Sequence, residues 1–314
     1  MTGHIAGDQH TEVSPGTLWL ALVVVYLAWG STYLGIRVVV EDMPPLMSAG
    51  ARFLTAAVLM GTFLTVRSGP RALRVHPREL RGAAVVGVLL LAGGNGGVVL
   101  GERTVPSGLA ALLVAMVPLW LILLRFASGA RPHLLTWVGV LVGFVGLGVL
   151  VLPGGAGGTT AGIVTIVGAS LCWSIGSFMS QRMPMPTNPF VATVWEMLAG
   201  AITLLVIGTV SGERPSDFGD AAAASWIALG YLVVFGSIVG YSAYVWLLQN
   251  APLPLVSTYA YVNPVVAVLL GALILAEPLT ATILIGGAIV VVGVAMVVRA
   301  ERQRPPDTPR SPRT

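Results

Sequence analysis

Ten long apolar segments in this 314-residue chain fall into two halves that echo each other, which constrains the fold more than any short motif. Trp29 recurs as Trp173 and Arg52 is answered by Glu196, each pair 144 positions apart. Pro118 recurs as Pro264 at 146, and Gly139 and Gly146 recur as Gly286 and Gly293 at 147. Small loop insertions between repeated helices produce a slow drift of this kind. A helix needs roughly 20 apolar residues to cross the hydrocarbon, and each segment is near that length. The expected fold is an all-α polytopic membrane protein with ten transmembrane helices in two five-helix repeats. Secondary transporters are built from such duplicated units, with substrate sites where the repeats meet.

Composition agrees. The chain is 55% hydrophobic and only 10% charged, with a mean hydropathy of +0.87, whereas soluble domains are about a quarter charged. The spans are expected near 18–40, 46–66, 82–101, 105–126, 134–152, 161–181, 189–210, 225–248, 254–276 and 280–298. Residues 1–17 are expected as a disordered cytoplasmic tail, 18–152 as the first repeat, 153–298 as the second and 299–314 as a basic, Pro-rich cytoplasmic tail. No basic region precedes the first apolar run, so no cleaved signal peptide is expected.

Arginine sets the orientation. All 17 basic residues are Arg; thirteen fall in loops 66–81, 125–133 and 182–188 and in the C-terminal tail, against Arg103 and Arg214 on the other face. That bias places both termini in the cytoplasm. With five spans per half, the second repeat is inserted upside down relative to the first. The pI of 9.6 then reflects cytoplasmic arginines facing anionic lipid head groups, and no nucleic-acid partner is expected.

Several functions are excluded. Without a lysine there is no Walker A motif and no Schiff base to retinal. His4, His10, His76 and His133 all lie outside the spans, so haem ligation or a Ser–His dyad at membrane depth is not expected. No cofactor, no metal and no enzymatic activity are expected. The glycine-rich stretches 93–97 and 154–158 read as close helix packing and as a turn. Cys172, the lone cysteine, reads as a small buried helix residue.

Polar residues inside a span face the bundle interior or a cavity. Trp29, Thr32, Tyr33 and Arg37 share one face of the first span, and Trp173, Gly176, Ser177 and Gln181 repeat the spacing in the sixth. Two inverted copies of one stripe fit two walls of a single cavity; helix packing is the alternative. Arg52 and Glu196 each lie about seven residues into their spans, or roughly 10 Å below opposite surfaces. Arg52 can hold a carboxylate in bidentate fashion, and Glu196 can hold an ammonium or a coupling proton. Together they suit a zwitterionic or amine-type metabolite. A structural ion pair, or separate bonds to helix carbonyls, is equally open at this point.

Asn95 stands among Gly93, Gly94, Gly96 and Gly97, where another helix or a ligand can approach the backbone. Tyr241, Tyr244 and Trp246 in span 8, and Tyr259, Tyr261 and Asn263 in span 9, offer aromatic and amide groups for a wall. Pro118 and Pro264 interrupt matched spans and read as hinges. Spans 5 and 10 hold no ionisable residue, and their glycines suit scaffolding or a homodimer face.

The stretch Trp29-Gly30-Ser31-Thr32-Tyr33, with Pro44-Pro45 and Arg52-Phe53, resembles the first repeat of the EamA-type drug/metabolite transporter superfamily. Asn95-Gly96, Gly101-Glu102, Val105-Pro106-Ser107-Gly108-Leu109 and Pro118-Leu119-Trp120 are similar to its YedA-type exporter branch. Tyr261-Val262-Asn263-Pro264 and Glu277-Pro278 carry the likeness into the second repeat. The resemblance implies a cavity among spans 1–4 and 6–9 and export of amino acids, related metabolites or toxic compounds. The reading is a secondary exporter of a bacterial cytoplasmic membrane working by alternating access. Arg52, Glu196, Trp29, Tyr33, Asn95, Trp173, Tyr259 and Asn263 are its candidate binding residues. The alternatives are an uncoupled facilitator on the same fold and, more remotely, a membrane-embedded enzyme or a scaffold.

Overall fold

The computed structural model describes residues 14–151 and 157–302. Nine helices among them are long and apolar enough to cross a membrane: α1 (Pro15–Val39), α2 (Pro45–Ser68), α3 (Pro77–Glu102), α4 (Ser107–Ala127), α5 (Leu134–Val151), α6 (Thr160–Ser180), α7 (Pro189–Val210), α8 (Ala223–Asn250) and, last in the chain, α10 (Ala281–Arg302). The remaining span is the least regular. It is a shorter helix, α9 (Tyr259–Ile274), preceded by the single turn Leu253–Val256.

Capping chemistry moves several boundaries. Ser14 accepts the Thr17 N–H at 3.2 Å with Pro15 at the first helical position, where a missing N–H costs nothing. Residues 15–17 therefore belong to α1 and not to a disordered tail; residues 1–13 lie outside the described residues. At α3, His76 accepts from the Arg78 N–H at 3.2 Å while Glu79 accepts from the His76 N–H at 2.9 Å. This reciprocal cap starts the helix at Pro77, five residues earlier than hydropathy alone places it. The last helix runs to Arg302, past the expected end at 298, and residues 303–314 lie outside the described residues. Of the glycine-rich turn at 154–158, only Gly157 and Gly158 are described, with φ of +81° and +87°, a region that favours glycine.

The packing has the two-fold pattern of the sequence. α2 packs on α7, α4 on α9 and α5 on α10, each helix against its own repeat equivalent. α1 packs on α8 and α9 as α6 packs on α3 and α4. Helix backbones approach closely where glycine allows it. A Cβ at Gly30 would lie 2.7 Å from Val266, and one at Gly50 would lie 2.7 Å from Leu205.

The glycines of α5 and α10 face each other within the chain. A Cβ at Gly146 would lie 2.7 Å from the Val290 nitrogen, and one at Gly139 would lie 2.9 Å from the Gly293 carbonyl oxygen. Of the two expected roles, scaffolding or a homodimer face, these glycines take the scaffolding one. They are consumed in a contact between the repeats, and the outward faces carry Leu141, Val145, Leu284, Ile285 and Val292, all exposed.

Both α3 and α8 contain a π-helical stretch, Val88–Asn95 and Leu232–Tyr241. The two stretches begin 144 positions apart, at the same place in each repeat. Wide turns of this kind are rare and concentrate at functional sites. Breaks in α4 and before α9 are matched as well. α4 is interrupted at Ala115 and Met116, just before Pro118, and the chain between Val256 and Tyr259 leaves the helix ahead of Pro264.

Candidate functional site

A cavity of about 60 Å³ lies at the centre of the bundle, bounded by Trp29, Thr32, Tyr33, Arg52, Asn95, Ser170, Trp173, Gly236, Tyr241 and Tyr259, with apolar residues between them. α1 and α6 both line it, but of the paired stripes only Trp29 and Trp173 do so from equivalent positions; Gly176, Ser177 and Gln181 lie outside the lining. The stripes diverge beyond the cavity. Ser177 donates back to the Trp173 carbonyl and pairs with the Tyr244 hydroxyl at 2.6 Å, while Arg37 turns to the face opposite the termini.

Aromatic rings form the body of the site. Trp29 and Trp173 meet edge to face, and Trp29 also touches Tyr244 with centroids 4.8 Å apart and Tyr259 at 5.3 Å. Each indole is fixed by its N–H. Trp29 donates to the Gly236 carbonyl at 3.1 Å, in the wide turns of α8, and Trp173 donates to the Tyr244 hydroxyl at 3.1 Å.

Arg52 supplies the charge. It is 3% exposed, so it does not reach out to a surface. Its Nε donates to Ser237 Oγ at 2.8 Å, and its guanidinium lies 4.7 Å from the Phe53 ring centroid. Gly236 leaves room for it, since a Cβ there would sit 2.6 Å from Nη2. Nη1 is buried with no hydrogen-bond partner. A second, smaller cavity touches Arg52 from the other side, between Ile36, Ser48, Val99 and Leu232. A buried charged donor without a partner costs more than the about 1–3 kcal/mol of a neutral one, so this group is set up to receive an acceptor.

Two expected residues are elsewhere. Arg52 and Glu196 form no ion pair; among the described residues the salt bridge present is Arg37–Glu41, at 3.8 Å. Glu196 is 1% exposed and accepts the Tyr241 hydroxyl at 2.7 Å. Tyr241 lines the cavity and Glu196 does not, so the carboxylate reaches the cavity only through that phenol. Asn263 also lies outside the lining. Its amide NH₂, oriented by its partners, donates to the Tyr26 carbonyl at 3.2 Å and the Tyr259 carbonyl at 3.3 Å, tying α9 to α1. Asn95 does line the cavity, with its Oδ1 unpartnered. Its glycines serve packing: a Cβ at Gly94 would lie 2.8 Å from the Trp173 ring, and one at Gly97 2.7 Å from Ala169. Cys172 is free and half-buried beside Gly93.

Sequence reasoning missed Ser170, Ser237 and Gly236 and did not single out Tyr241 over its aromatic neighbours. The signal available was the pair Gly236 and Gly240 around Ser237, in the second repeat's counterpart of the Asn95 region. Pro118 and Pro264 both stand beside the cavity helices' breaks, and Ser174 donates to the Val117 carbonyl at 3.3 Å, next to the freed backbone.

On the face opposite the termini, second-repeat carboxylates cap first-repeat helices. Glu213 accepts the N–H groups of Leu46 and Met47 at 3.1 and 2.7 Å, at the start of α2. Glu277 accepts those of Ser107 and Gly108 at 2.8 and 3.1 Å, at the start of α4. Negative charge at a helix N-terminus is favourable, so each contact fastens one repeat to the other. Beside Glu277 is a vestibule of about 370 Å³, lined by Arg37, Glu41, Arg103, Thr104 and Glu277 among others.

Known proteins resemble this chain in sequence and fold. The sequence profile described as the EamA-like transporter family matches residues 15–152 and again 160–299. The uncharacterized inner membrane transporter YedA of Escherichia coli (strain K12) is 41% identical over 256 residues, covering 81% of this chain and 81% of its own. An uncharacterized transporter of Synechocystis sp. is 23% identical, over 95% of this chain and 94% of its own. A solved crystal structure at 20% identity superposes with a TM-score of 0.66, over 92% of this chain and 99% of that one, and supports the fold alone. With both halves matched and a 41% identical relative across most of its length, the chain belongs to the EamA-like transporter family, within the drug/metabolite transporter superfamily.

Proposed function

We propose that this transporter exports a small metabolite carrying a carboxylate or similar anionic group, and that it does so across a bacterial cytoplasmic membrane by alternating access. The observation that carries the reading is Arg52: one buried cation in an aromatic cavity, with an N–H free of any partner. A substrate carboxylate would satisfy that donor, and the rings of Trp29, Trp173, Tyr241 and Tyr259 would cover an apolar or cationic body. Recognition of an amine would pass through Tyr241 to Glu196, which gives a zwitterion two matched ends.

The cavity is too small for such a solute as it stands. About 60 Å³ holds roughly four water molecules, so loading requires the repeats to separate. The breaks before Pro118 and Pro264 are the natural hinges, and the carboxylate caps of Glu213 and Glu277 are the contacts that hold the face opposite the termini closed. Both termini are assigned to the cytoplasm from the arginine bias, which makes that closed face the outer one.

An uncoupled facilitator is the second reading, and Glu196 favours it by lying off the cavity. The experiment is a thermal-shift screen of the purified full chain against amino acids, organic acids and cationic dyes, repeated with Arg52→Ala, followed by uptake into proteoliposomes. Stabilisation of the parent and not of the variant by a carboxylate solute supports the site. Stabilisation only by cations, equal in both, defeats it. Uptake indifferent to an imposed pH gradient favours the facilitator.

A further inference from the structure

Glu102 ends α3 at the level of the vestibule and is 0% exposed. Neither of its carboxyl oxygens has a hydrogen-bond partner. It is alone in this among the carboxylates described above. Glu196 is bonded to Tyr241, while Glu213 and Glu277 each accept two backbone N–H groups. An enclosed carboxyl with no donor aimed at it is not supported as an anion by its surroundings.

Glu102 lies between two compartments and lines neither of them. Tyr33, one turn of α1 below Arg37, lines the central cavity; Arg37 lines the vestibule and donates from Nη1 to the Glu102 backbone carbonyl at 2.6 Å. Tyr33 and Arg37 of α1 and Glu277 are the titratable groups that face this carboxyl. The flanking Arg103 is exposed on the vestibule wall. α6 approaches through Ile166 and Gly162 and brings no titratable group there, since its contacts are with the Gly101 backbone. The nearby Ser107 hydroxyl is also buried and unpartnered.

We propose that Glu102 is a proton-binding site of the transporter, loaded from the vestibule and separate from the Arg52 substrate site. The proposal rests on the carrier reading for its purpose, and its test does not depend on that reading. The full chain reconstituted in liposomes is titrated with acid in infrared difference spectroscopy, in potassium and in sodium buffers, without any transported solute. The expected result is a protonated-carboxyl C=O band that appears with falling pH in both buffers. It should be missing in Glu102→Gln, shifted in frequency in Glu102→Asp, and retained in Glu196→Gln. A band unchanged in Glu102→Gln, one lost instead in Glu196→Gln, or one governed by sodium and not by pH would overturn the proposal. The Asp variant keeps a carboxyl in place, so a frequency unaltered in it overturns the assignment even where the Gln variant folds poorly. Failure of substrate uptake with this band present would sink the carrier reading and leave the proton site standing.

Discussion

Trp29 and Trp173, repeat-equivalent residues, meet edge to face at the centre of the molecule, with ring centroids 5.3 Å apart and planes at 87°. Two residues related by the internal two-fold touch each other only where they lie beside its axis, so this contact marks where the repeats converge. Their partners differ: Trp29 bonds a backbone carbonyl of α8 and Trp173 bonds the Tyr244 hydroxyl. The two equivalent indoles are therefore asymmetric in their chemistry, which suits the polar, non-symmetric solute proposed above. A double-mutant cycle of Trp29→Ala and Trp173→Ala is expected to show a coupling of about 0.5–1.5 kcal/mol in thermal unfolding. Additive losses would mean that the rings do not meet.

Arg52→Ala should weaken ligand binding while the protein stays folded, because the side chain gives up one hydrogen bond, to Ser237. The expected loss is about 1.5–3 kcal/mol for a charged hydrogen bond, or roughly 10- to 100-fold in Kd. Arg52→Lys should recover little, since an ammonium cannot reproduce the planar fork. Calorimetric titration with whichever carboxylate solute stabilises the parent protein measures both.

Tyr241→Phe should destabilise the protein more than Glu196→Gln. The first leaves Glu196 buried without its donor, whereas the second keeps an acceptor for the Tyr241 hydroxyl. Removing one partner of a buried pair costs about 1–3 kcal/mol, more for a charged group. Comparing midpoints of thermal unfolding decides the order.

At the α5–α10 contact, Gly293→Val is expected to lower stability without touching the cavity. A Cβ at Gly293 would collide with the Gly143 backbone and lie 2.8 Å from the Gly139 carbonyl oxygen. Overpacking costs about 1–3 kcal/mol, and a rigid backbone neighbour places this site at the upper end. A lowered unfolding midpoint with unchanged solute affinity is the expected pair of readings.

The loop between α1 and α2 carries a pH-dependent tether. Asp42 Oδ2 accepts the Ala222 N–H at 2.7 Å, at the start of α8. The neighbouring Ser225 hydroxyl and the Ala222 N–H hold its carboxyl below the usual aspartate range. A depressed native value means that the stabilisation is fully present above the ordinary value of about 4 and is lost as pH falls through the native one. The group is exposed, so the effect is small. Thermal midpoints followed from neutral pH down to about 3 should fall less steeply for Asp42→Asn than for the parent.

The fold was legible because its determinants are local or repetitive. Hydropathy located ten spans, the 144-residue echo located the repeats, and the spacing of Trp29, Thr32 and Tyr33 put them on one wall. Helix ends set by Ser14 and by the His76–Glu79 cap shifted boundaries that hydropathy draws loosely. The Arg52–Glu196 relationship was not legible. Equal depth in equivalent, inverted helices brings two charges toward the middle of the membrane from opposite surfaces, but which one faces the cavity depends on the helix that packs between them. Here α8 intervenes, offering Ser237 to Arg52 and Tyr241 to Glu196.

The sequence alone determined a membrane-spanning chain of two echoing halves, an arginine-rich side, an aromatic stripe in each half and a single deeply placed basic residue. Tertiary structure decided which of these face one another. The π-helical turns in α3 and α8 carry extra residues per turn, and each residue displaced rotates the downstream face by about 100° relative to an α-helix. Spacing rules written for 3.6 residues per turn therefore lose their register where the cavity lies. Asn263 shows the same limit: it shares a face with Tyr259 by spacing, yet its amide is consumed by the carbonyls of Tyr26 and Tyr259. A partner brought from 237 residues away in the chain leaves no trace in local pattern, and only packing selects it.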